Sequence, residues 1–325
     1  MKYNYLGRTG VRVSELCFGT MSFGGDADAQ ESARMFHAAR EMGINFFDCA
    51  DAYNGGEAER ILGYLMKPER DKLVITSKCA VPVSDDINDR GASRRHIKKA
   101  VEQSLKRLNT EYLDVLLMHR FDENTALEET TRALDELVRE GKIIYTGASN
   151  YSAWQVMKSR QVSARSGYVK LDVIQPMYNL VRRQVESEIL PMARSEGLAV
   201  MSYGPVGGGL LSGKYGRDSR PQSGRLIDNP EYNARYDEAW VYDVASEFTA
   251  LAARAGIHPV SLAVAWVNAH PDVTCPIIGA RSLEQLQPSL DALDVDMTQD
   301  LRLEISALSR EPALATDRLE EKQRR

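Results

Sequence analysis

The sequence predicts an α/β chain closed into a (β/α)8 TIM barrel, with an N-terminal β-hairpin and extra helices in its late loops. Three observations lead there. Short apolar runs recur eight times along the 325 residues, mostly about 30 residues apart, the length of a strand-helix-strand unit. Stretches of helical periodicity separate them, and several hand over to the next run through a glycine: Gly43, Gly141 and Gly197. Glycine takes a left-handed helix end without a Cβ clash. The first run leads into Gly19-Thr20-Met21-Ser22-Phe23-Gly24-Gly25. That lacks the Gly-x-Gly-x-x-Gly spacing expected of the runner-up, a doubly wound open sheet. One barrel of roughly 250 residues plus insertions accommodates the length, and no shift of composition divides it. Residues 1–325 therefore read as a single barrel domain. Its tail, from about residue 312, is expected to be flexible, and Asp317 to Arg325, dense in charge, to fray.

In order, Lys2 to Val13 alternates weakly around Gly7-Arg8-Thr9-Gly10, a hairpin pattern. Leu16 to Gly19 is the first barrel run. Asp28, with Glu31 three residues on, reads as a capping box; the helix it opens turns Phe36 and Ala39 inward and stops at Gly43. Asn45 to Asp48 is the second run. Ala58, Ile61, Leu62 and Leu65 then sit at helical spacing. Leu73 to Lys78 is the third, and Ser93 caps a helix with Ile97, Val101, Leu105 and Leu108 on one face. Val115 to His119 is the fourth, followed by a helix through Leu127, Leu134 and Val138. Ile144 to Ser149, Val173 to Gln175, Ala199 to Tyr203 and Thr274 to Ile278 complete the set. The long gap before the last holds a Gly-rich loop, a polar stretch from Arg217 to Asn233 and two helices. Leu283 to Leu290 reads as a short helix after the eighth run.

A formal charge of -5 gives no electrostatic case for nucleic acid or membrane as partner. Cys17, Cys49, Cys79 and Cys275 are widely spaced, which suits reduced thiols and neither a disulfide framework nor a metal site. No apolar h-region opens the chain and no run is long enough to span a bilayer, so a cytoplasmic location is expected. Nothing in the sequence sets an oligomeric state.

In a barrel, active-site groups come from the C-terminal ends of the strands. Asp48, Lys78 and His119 end the second, third and fourth runs, and Tyr53 lies in the loop after Asp48. Singly, each has a plainer reading: an aspartate there is roughly two times in three a turn or cap. Together they are three acid-base groups and an anion on three successive strands. An ordinary tyrosine, with a pKa of about 10, is a weak catalyst near neutrality. A lysine beside it favours the phenolate and is expected to lower that pKa, with Asp48 holding the lysine. A neutral histidine can orient a substrate oxygen. The set suits protonation of a carbonyl oxygen as hydride arrives at carbon.

A second constellation lies in the later loops. Ser149, Asn150 and Gln175 offer paired donors and acceptors that suit a carboxamide such as nicotinamide. Tyr203 can stack on a flat ring. Gly204-Pro205-Val206-Gly207-Gly208-Gly209-Leu210-Leu211-Ser212-Gly213-Lys214 offers bare backbone amides and a lysine for a pyrophosphate. Gly279-Ala280-Arg281-Ser282 precedes the short helix, where barrels often bind phosphate. Arg281 suits a phosphate monoester such as the 2′-phosphate of NADP, which makes NADPH the expected cofactor and NADH the less favoured one.

These stretches, with Glu57-Ala58-Glu59-Arg60-Ile61-Leu62-Gly63, Ile75-Thr76-Ser77-Lys78 and Leu117-Met118-His119, give the sequence a resemblance to the aldo-keto reductases over nearly its whole length. The resemblance implies a (β/α)8 barrel that reduces carbonyls with NAD(P)H. It implies Tyr53 as general acid, Asp48 and Lys78 as its tuning pair and His119 as orienter of the carbonyl. It places Ser149, Asn150 and Gln175 on the carboxamide, Tyr203 under the ring, and Arg281, Ser282 and Gln285 near the adenosine phosphate. Gly19, Thr20, Met21, Asp48 and the loop residues Gly204, Pro205, Val206, Gly209, Leu211, Gly213, Lys214 and Gly279 join the expected cofactor set. Three departures stand out. The family often shows Ser-Pro-Leu where this chain has Gly204-Pro205-Val206. Ser289 replaces an asparagine that meets the adenine edge. Cys79-Ala80-Val81 is small where an aromatic sometimes follows, leaving a roomier pocket. The expected substrate contacts are Tyr53, His119, Phe23 and Trp154, although Trp154 equally suits packing on its own helix. The substrate itself is a small carbonyl compound whose identity the sequence does not give. Two other readings compete: a cofactor-sensing regulatory subunit of a membrane channel, and an aldolase using Lys78, which a close Asp48 opposes.

Overall fold

The computed structural model describes residues 1–316, 318 and 320; apart from Arg318 and Glu320, the charged end from Asp317 to Arg325 lies outside the described residues. Two short antiparallel strands come first, β1 (Tyr3–Tyr5) and β2 (Arg12–Ser14). There follow β3 (Cys17–Gly19), α1 (Ala29–Glu41), β4 (Phe46–Asp48), α2 (Glu57–Met66), β5 (Val74–Cys79), α3 (Arg94–Leu108), β6 (Leu113–Met118) and α4 (Leu127–Arg139). Then come β7 (Ile143–Ser149), α5 (Ala153–Ser166), β8 (Val173–Gln175), α6 (Ile189–Glu196), β9 (Ala199–Tyr203), α7 (Arg225–Asp228) and α8 (Pro230–Arg235). The last are α9 (Ala239–Ala255), α10 (Pro259–Asn268), β10 (Cys275–Ile278), α11 (Leu283–Leu290) and α12 (Gln299–Ala307). Strands β3 to β9 pair in parallel in chain order, and β10 closes the barrel between β9 and β3.

The helix starts follow their caps. Asp28 accepts from the Glu31 N–H at 2.8 Å and Ser93 from the His96 N–H. The reciprocal half of the expected capping box does not form. The Glu31 carboxylate instead accepts from the Leu283 N–H at 2.6 Å, lacing α1 to the first turn of α11. The polar stretch from Arg217 to Asn233 is more ordered than its composition suggests. It contains α7 and most of α8, whose Asn229 cap accepts from Glu231 and Tyr232 ahead of Pro230 at the first helical position.

The interior of the barrel explains where the site is. Phe46, Val74, Leu117, Val173, Met201 and Ile277 point inward into one buried cluster. Leu6 and Val13 of the hairpin, both fully buried, join that cluster and plug the end where the strands begin. Residues two apart on a strand share a face. Asp48, Lys78, His119, Gln175, Tyr203 and Gly279 therefore continue the inward rows and emerge at the opposite end. The alternate residues face outward: Phe47 packs on Phe18 and on Phe36 of α1, with ring centroids 5.9 and 4.9 Å apart. Each such fully buried phenylalanine contributes about 1.5–3 kcal/mol of transfer free energy. Among the described residues, no single helix is long and apolar enough to cross a membrane.

Candidate active site

At the mouth, Lys78 Nζ donates to Asp48 Oδ2 at 2.6 Å, to the Cys49 carbonyl at 2.8 Å and to Tyr53 Oη at 3.1 Å. Lys78 is fully buried and Asp48 almost so. Burial alone would depress the lysine, but Asp48 and Tyr53 outweigh it and hold its pKa above the ordinary range. The second Asp48 oxygen accepts from Gln175 Nε2 at 2.8 Å. Ser149 Oγ donates to the Gln175 carbonyl at 2.9 Å, Asn150 Nδ2 donates to Ser149 Oγ at 3.1 Å, and Tyr203 Oη donates to Asn150 Oδ1 at 2.8 Å. Asn150 Nδ2 also reaches the His119 carbonyl at 3.0 Å. Six strand ends are thus tied by one polar network in an apolar surround.

The Tyr53 phenol departs from expectation. Withdrawal from water pushes its pKa up to about 12, and the opposing pull of Lys78 is too small to reverse that because Asp48 offsets the lysine's charge. Tyr53 therefore keeps its proton at neutral pH. Since its oxygen accepts from Lys78, that proton is free to point elsewhere. The His119 ring stands edge-on to Tyr53 at 6.0 Å. Burial, and then the charges of Lys78 and Arg120, push its pKa down to about 3. It is neutral, with Nδ1 buried and unpartnered.

Other expected residues are placed less uniformly. Gly204 has φ +69, and a Cβ there would meet nothing within 4 Å. The left-handed conformation, not crowding, accounts for glycine in place of serine. Gly19 and Gly279 sit at the β3–β10 seam, where a Cβ on Gly279 would lie 3.3 Å from the Gly19 carbonyl. Met21, Gly213 and Lys214 are exposed, and Val206 and Gly209 partly so. Arg281 Nε lies 2.9 Å from Asp26, Ser282 caps α11 by accepting from the Gln285 N–H, and Gln285 Oε1 accepts from the Arg281 N–H at 3.4 Å.

The side chains of several expected residues are enclosed, which leaves those residues only their backbone to offer a ligand. Thr20 is fully enclosed, its hydroxyl donating to the Asp48 carbonyl at 3.0 Å, so it braces β4 and presents no side chain to a ligand. Leu211 is likewise fully buried, and Pro205 is buried. Ser289 is on the inner side of α11, 3% exposed, with almost no surface for an adenine edge. Phe23 is fully buried against Phe18 and backs the first loop without lining a pocket. Trp154 is 59% exposed on α5. Its ring contacts are Phe121 and Lys158, and it lines an outer cleft with Met157, Met192 and Pro312.

Three features beside the network escaped the sequence reading. Asn54, next to Tyr53, is left-handed at φ 48 and donates to the Met21 and Phe23 carbonyls at 2.9 and 2.8 Å, pinning the tyrosine's loop to the first loop. The Asn54-Gly55 pair was its legible signal. Behind it, Glu59 is fully buried, accepting from Ser77 Oγ at 2.6 Å and pairing with Arg107 at 2.7 Å. Asp51 has both carboxylate oxygens buried without partners, and burial, then repulsion from Glu59, pushes its pKa up to about 7. Glu59 lies in the Glu57-to-Gly63 stretch that carries the family resemblance, but nothing in the sequence brings it to Asp51.

Comparison with known proteins agrees with this architecture. The profile of the Aldo/keto reductase family matches residues 15–309. An oxidoreductase of Bacillus subtilis (strain 168), named as uncharacterized YrpG, is 36% identical over 314 residues, 93% of this chain and 94% of that protein. A "probable voltage-gated potassium channel subunit beta" of Oryza sativa subsp. japonica is 36% identical over 304 residues, 91% of this chain and 92% of its own. The versiconal hemiacetal acetate reductase of Aspergillus parasiticus is 31% identical over 330 residues, 92% of this chain and 94% of its own. Matched across the barrel and aligned to relatives over almost all its length, this chain belongs to the aldo/keto reductase family, oxidoreductases that act on carbonyl compounds with nicotinamide cofactors.

Proposed function

We propose that the chain reduces small aldehydes or ketones to alcohols with NADPH, using Tyr53 as general acid. The observation that carries the reading is the unbroken run of hydrogen bonds from Tyr53 through Lys78, Asp48, Gln175, Ser149 and Asn150 to Tyr203. It joins the proton-bearing end of the mouth to the groups suited to hold a nicotinamide.

The residues present fit that cofactor. Gln175 Oε1 has only a 3.5 Å contact with Ser149 Oγ, leaving an acceptor for a carboxamide N–H. Tyr203 and the open space at Gly204 suit a flat ring, and Arg281 with Ser282 suits a phosphate monoester. When bound, the reduced nicotinamide supplies hydride to the carbonyl carbon. Tyr53 gives its proton to the carbonyl oxygen, and the phenolate left behind is stabilised by the Lys78 ammonium. Asp48 keeps that ammonium charged and in place, which also rules against Schiff-base chemistry at Lys78. Neutral His119 donates from Nε2 to the same oxygen and orients it.

Tyr53→Phe keeps the ring and removes the proton. NADPH binding, followed by quenching of protein fluorescence, is expected to persist while carbonyl reduction falls about 10²-fold or more. Near-normal kcat in this variant would remove Tyr53 from the role. The rice relative's name favours a second reading, a cofactor-sensing channel subunit with little turnover. Wild-type protein that binds NADPH but fails to reduce a panel of aldehydes would establish that reading over the first.

A further inference from the structure

The phosphate end of the site holds an internal competitor. Arg281 Nε is engaged by Asp26 Oδ2 at 2.9 Å, and Arg225 of α7 approaches the same oxygen at 4.0 Å. Asp26 is not a loose surface carboxylate. Its loop is closed by the Gly24 N–H on the Ala27 carbonyl at 2.8 Å and the Ala27 N–H on the Ser22 carbonyl at 2.9 Å. Ser22 Oγ donates to the Ala280 carbonyl at 2.6 Å, fixing the same loop to the strand end that carries Arg281. Two residues along, the Glu31 carboxylate takes the Leu283 N–H in the first turn of α11. The Arg281 guanidinium and the Leu283 amide, two groups that would attract an anion there, are thus faced by carboxylates from the first loop and α1.

Building on the NADPH reading, we propose that Asp26 is a specificity-determining residue that sets how far this site favours NADPH over NADH. A 2′-phosphate that takes Arg281 shares or displaces the guanidinium contact of Asp26, and it meets the aspartate's charge as it does so. A ribose 2′-hydroxyl meets the opposite situation: it is a donor, and Asp26 is an acceptor beside it. One carboxylate therefore weakens the phosphorylated cofactor and strengthens the unphosphorylated one. The Arg281–Asp26 pair suits such exchange because its side chains are 39% and 49% exposed. Pairs so exposed are worth little and break readily.

The test compares binding of NADPH, NADH, adenosine 2′,5′-bisphosphate and AMP to wild type, Asp26→Asn and Arg281→Ala, by fluorescence quenching and competition. Asp26→Asn is expected to tighten NADPH and the bisphosphate about two- to fivefold, the scale of an exposed ion pair, and to weaken NADH and AMP. An Asp26→Asn protein whose NADPH-to-NADH ratio stays at the wild-type value, while Arg281→Ala loses its NADPH preference, overturns the inference and leaves the NADPH reading standing. If Arg281→Ala weakens NADPH and NADH equally, the NADPH reading fails and this inference fails with it. Circular dichroism of the Asp26→Asn protein checks that the first loop, which makes its bonds through backbone and Ser22, keeps its fold.

Discussion

Two ion pairs stand on the same rim and differ almost only in their surroundings. Lys78–Asp48 spans 2.6 Å with side chains 0% and 4% exposed; Arg281–Asp26 spans 2.9 Å with side chains 39% and 49% exposed. The first sits in apolar packing, so neither charge has water to fall back on, and its remaining hydrogen-bonding capacity is met by Cys49, Tyr53 and Gln175. The second can trade its partner for water or a ligand at little cost. The difference teaches that nearly equal geometry gives fixed machinery in one place and an exchangeable contact in the other, with burial deciding which.

Lys78→Met tests the buried side and carries the largest expected effect. Removing one member leaves Asp48 charged and buried, a loss of about 3–5 kcal/mol by analogy with other broken buried pairs. Urea unfolding measures it, alongside loss of carbonyl reduction. Replacing both, as Lys78→Met with Asp48→Leu, is expected to recover much of the stability and none of the activity. A single variant as stable as wild type would erase the contrast between the two pairs.

Acid titration gives a smaller effect on the same buried half. His119 stays neutral in the fold to about pH 3, whereas an unfolded histidine takes a proton near 6.5. Between those values the unfolded chain binds more protons, so stability falls as pH falls, by about 1.4 kcal/mol per unit. From pH 6.5 to 5 the loss due to His119 is about 2 kcal/mol. His96 and His270, also held low chiefly by burial, add to it. His119→Gln should be less acid-sensitive than wild type by that amount in unfolding curves at pH 7 and 5; parallel curves would mean that the ring is solvated.

The smallest effect belongs to the exposed pair. Arg281→Ala is expected to change unfolding free energy by less than about 1 kcal/mol. A loss comparable to that of Lys78→Met would show that the exposed pair, too, is structural.

The barrel and the four residues at its mouth were legible because strand ends and helix stops leave local marks: Gly43, Gly141 and Gly197 past helices, and apolar runs ending in Asp48, Lys78 and His119. What was not legible depends on distant chain segments. Thr20, Phe23 and Leu211 look like loop residues available to a ligand, and only packing from other segments encloses them. Helix α5 lacks a clean apolar stripe, and its local marks are at its ends: Gln155 accepting from the Ser152 N–H at the start and left-handed Gly167 at the stop. The Tyr53 shift runs opposite to the expected direction for a related reason. Lysine proximity can be read from residue types, whereas the larger opposing effect of burial requires the fold.

The inward rows of the strands also bind the site to the arithmetic of the core. Asp48, Lys78, His119, Gln175 and Tyr203 each stand an even number of positions beyond an interior residue of their own strand: Phe46, Val74, Leu117, Val173 and Met201. Their function thus carries a parity. Inserting two residues into one of these strands lifts its site group along the barrel axis but leaves it facing the mouth. Inserting one turns that group outward against the helices and swings an outward apolar residue into its place. Chain length within the strands should therefore drift by even steps.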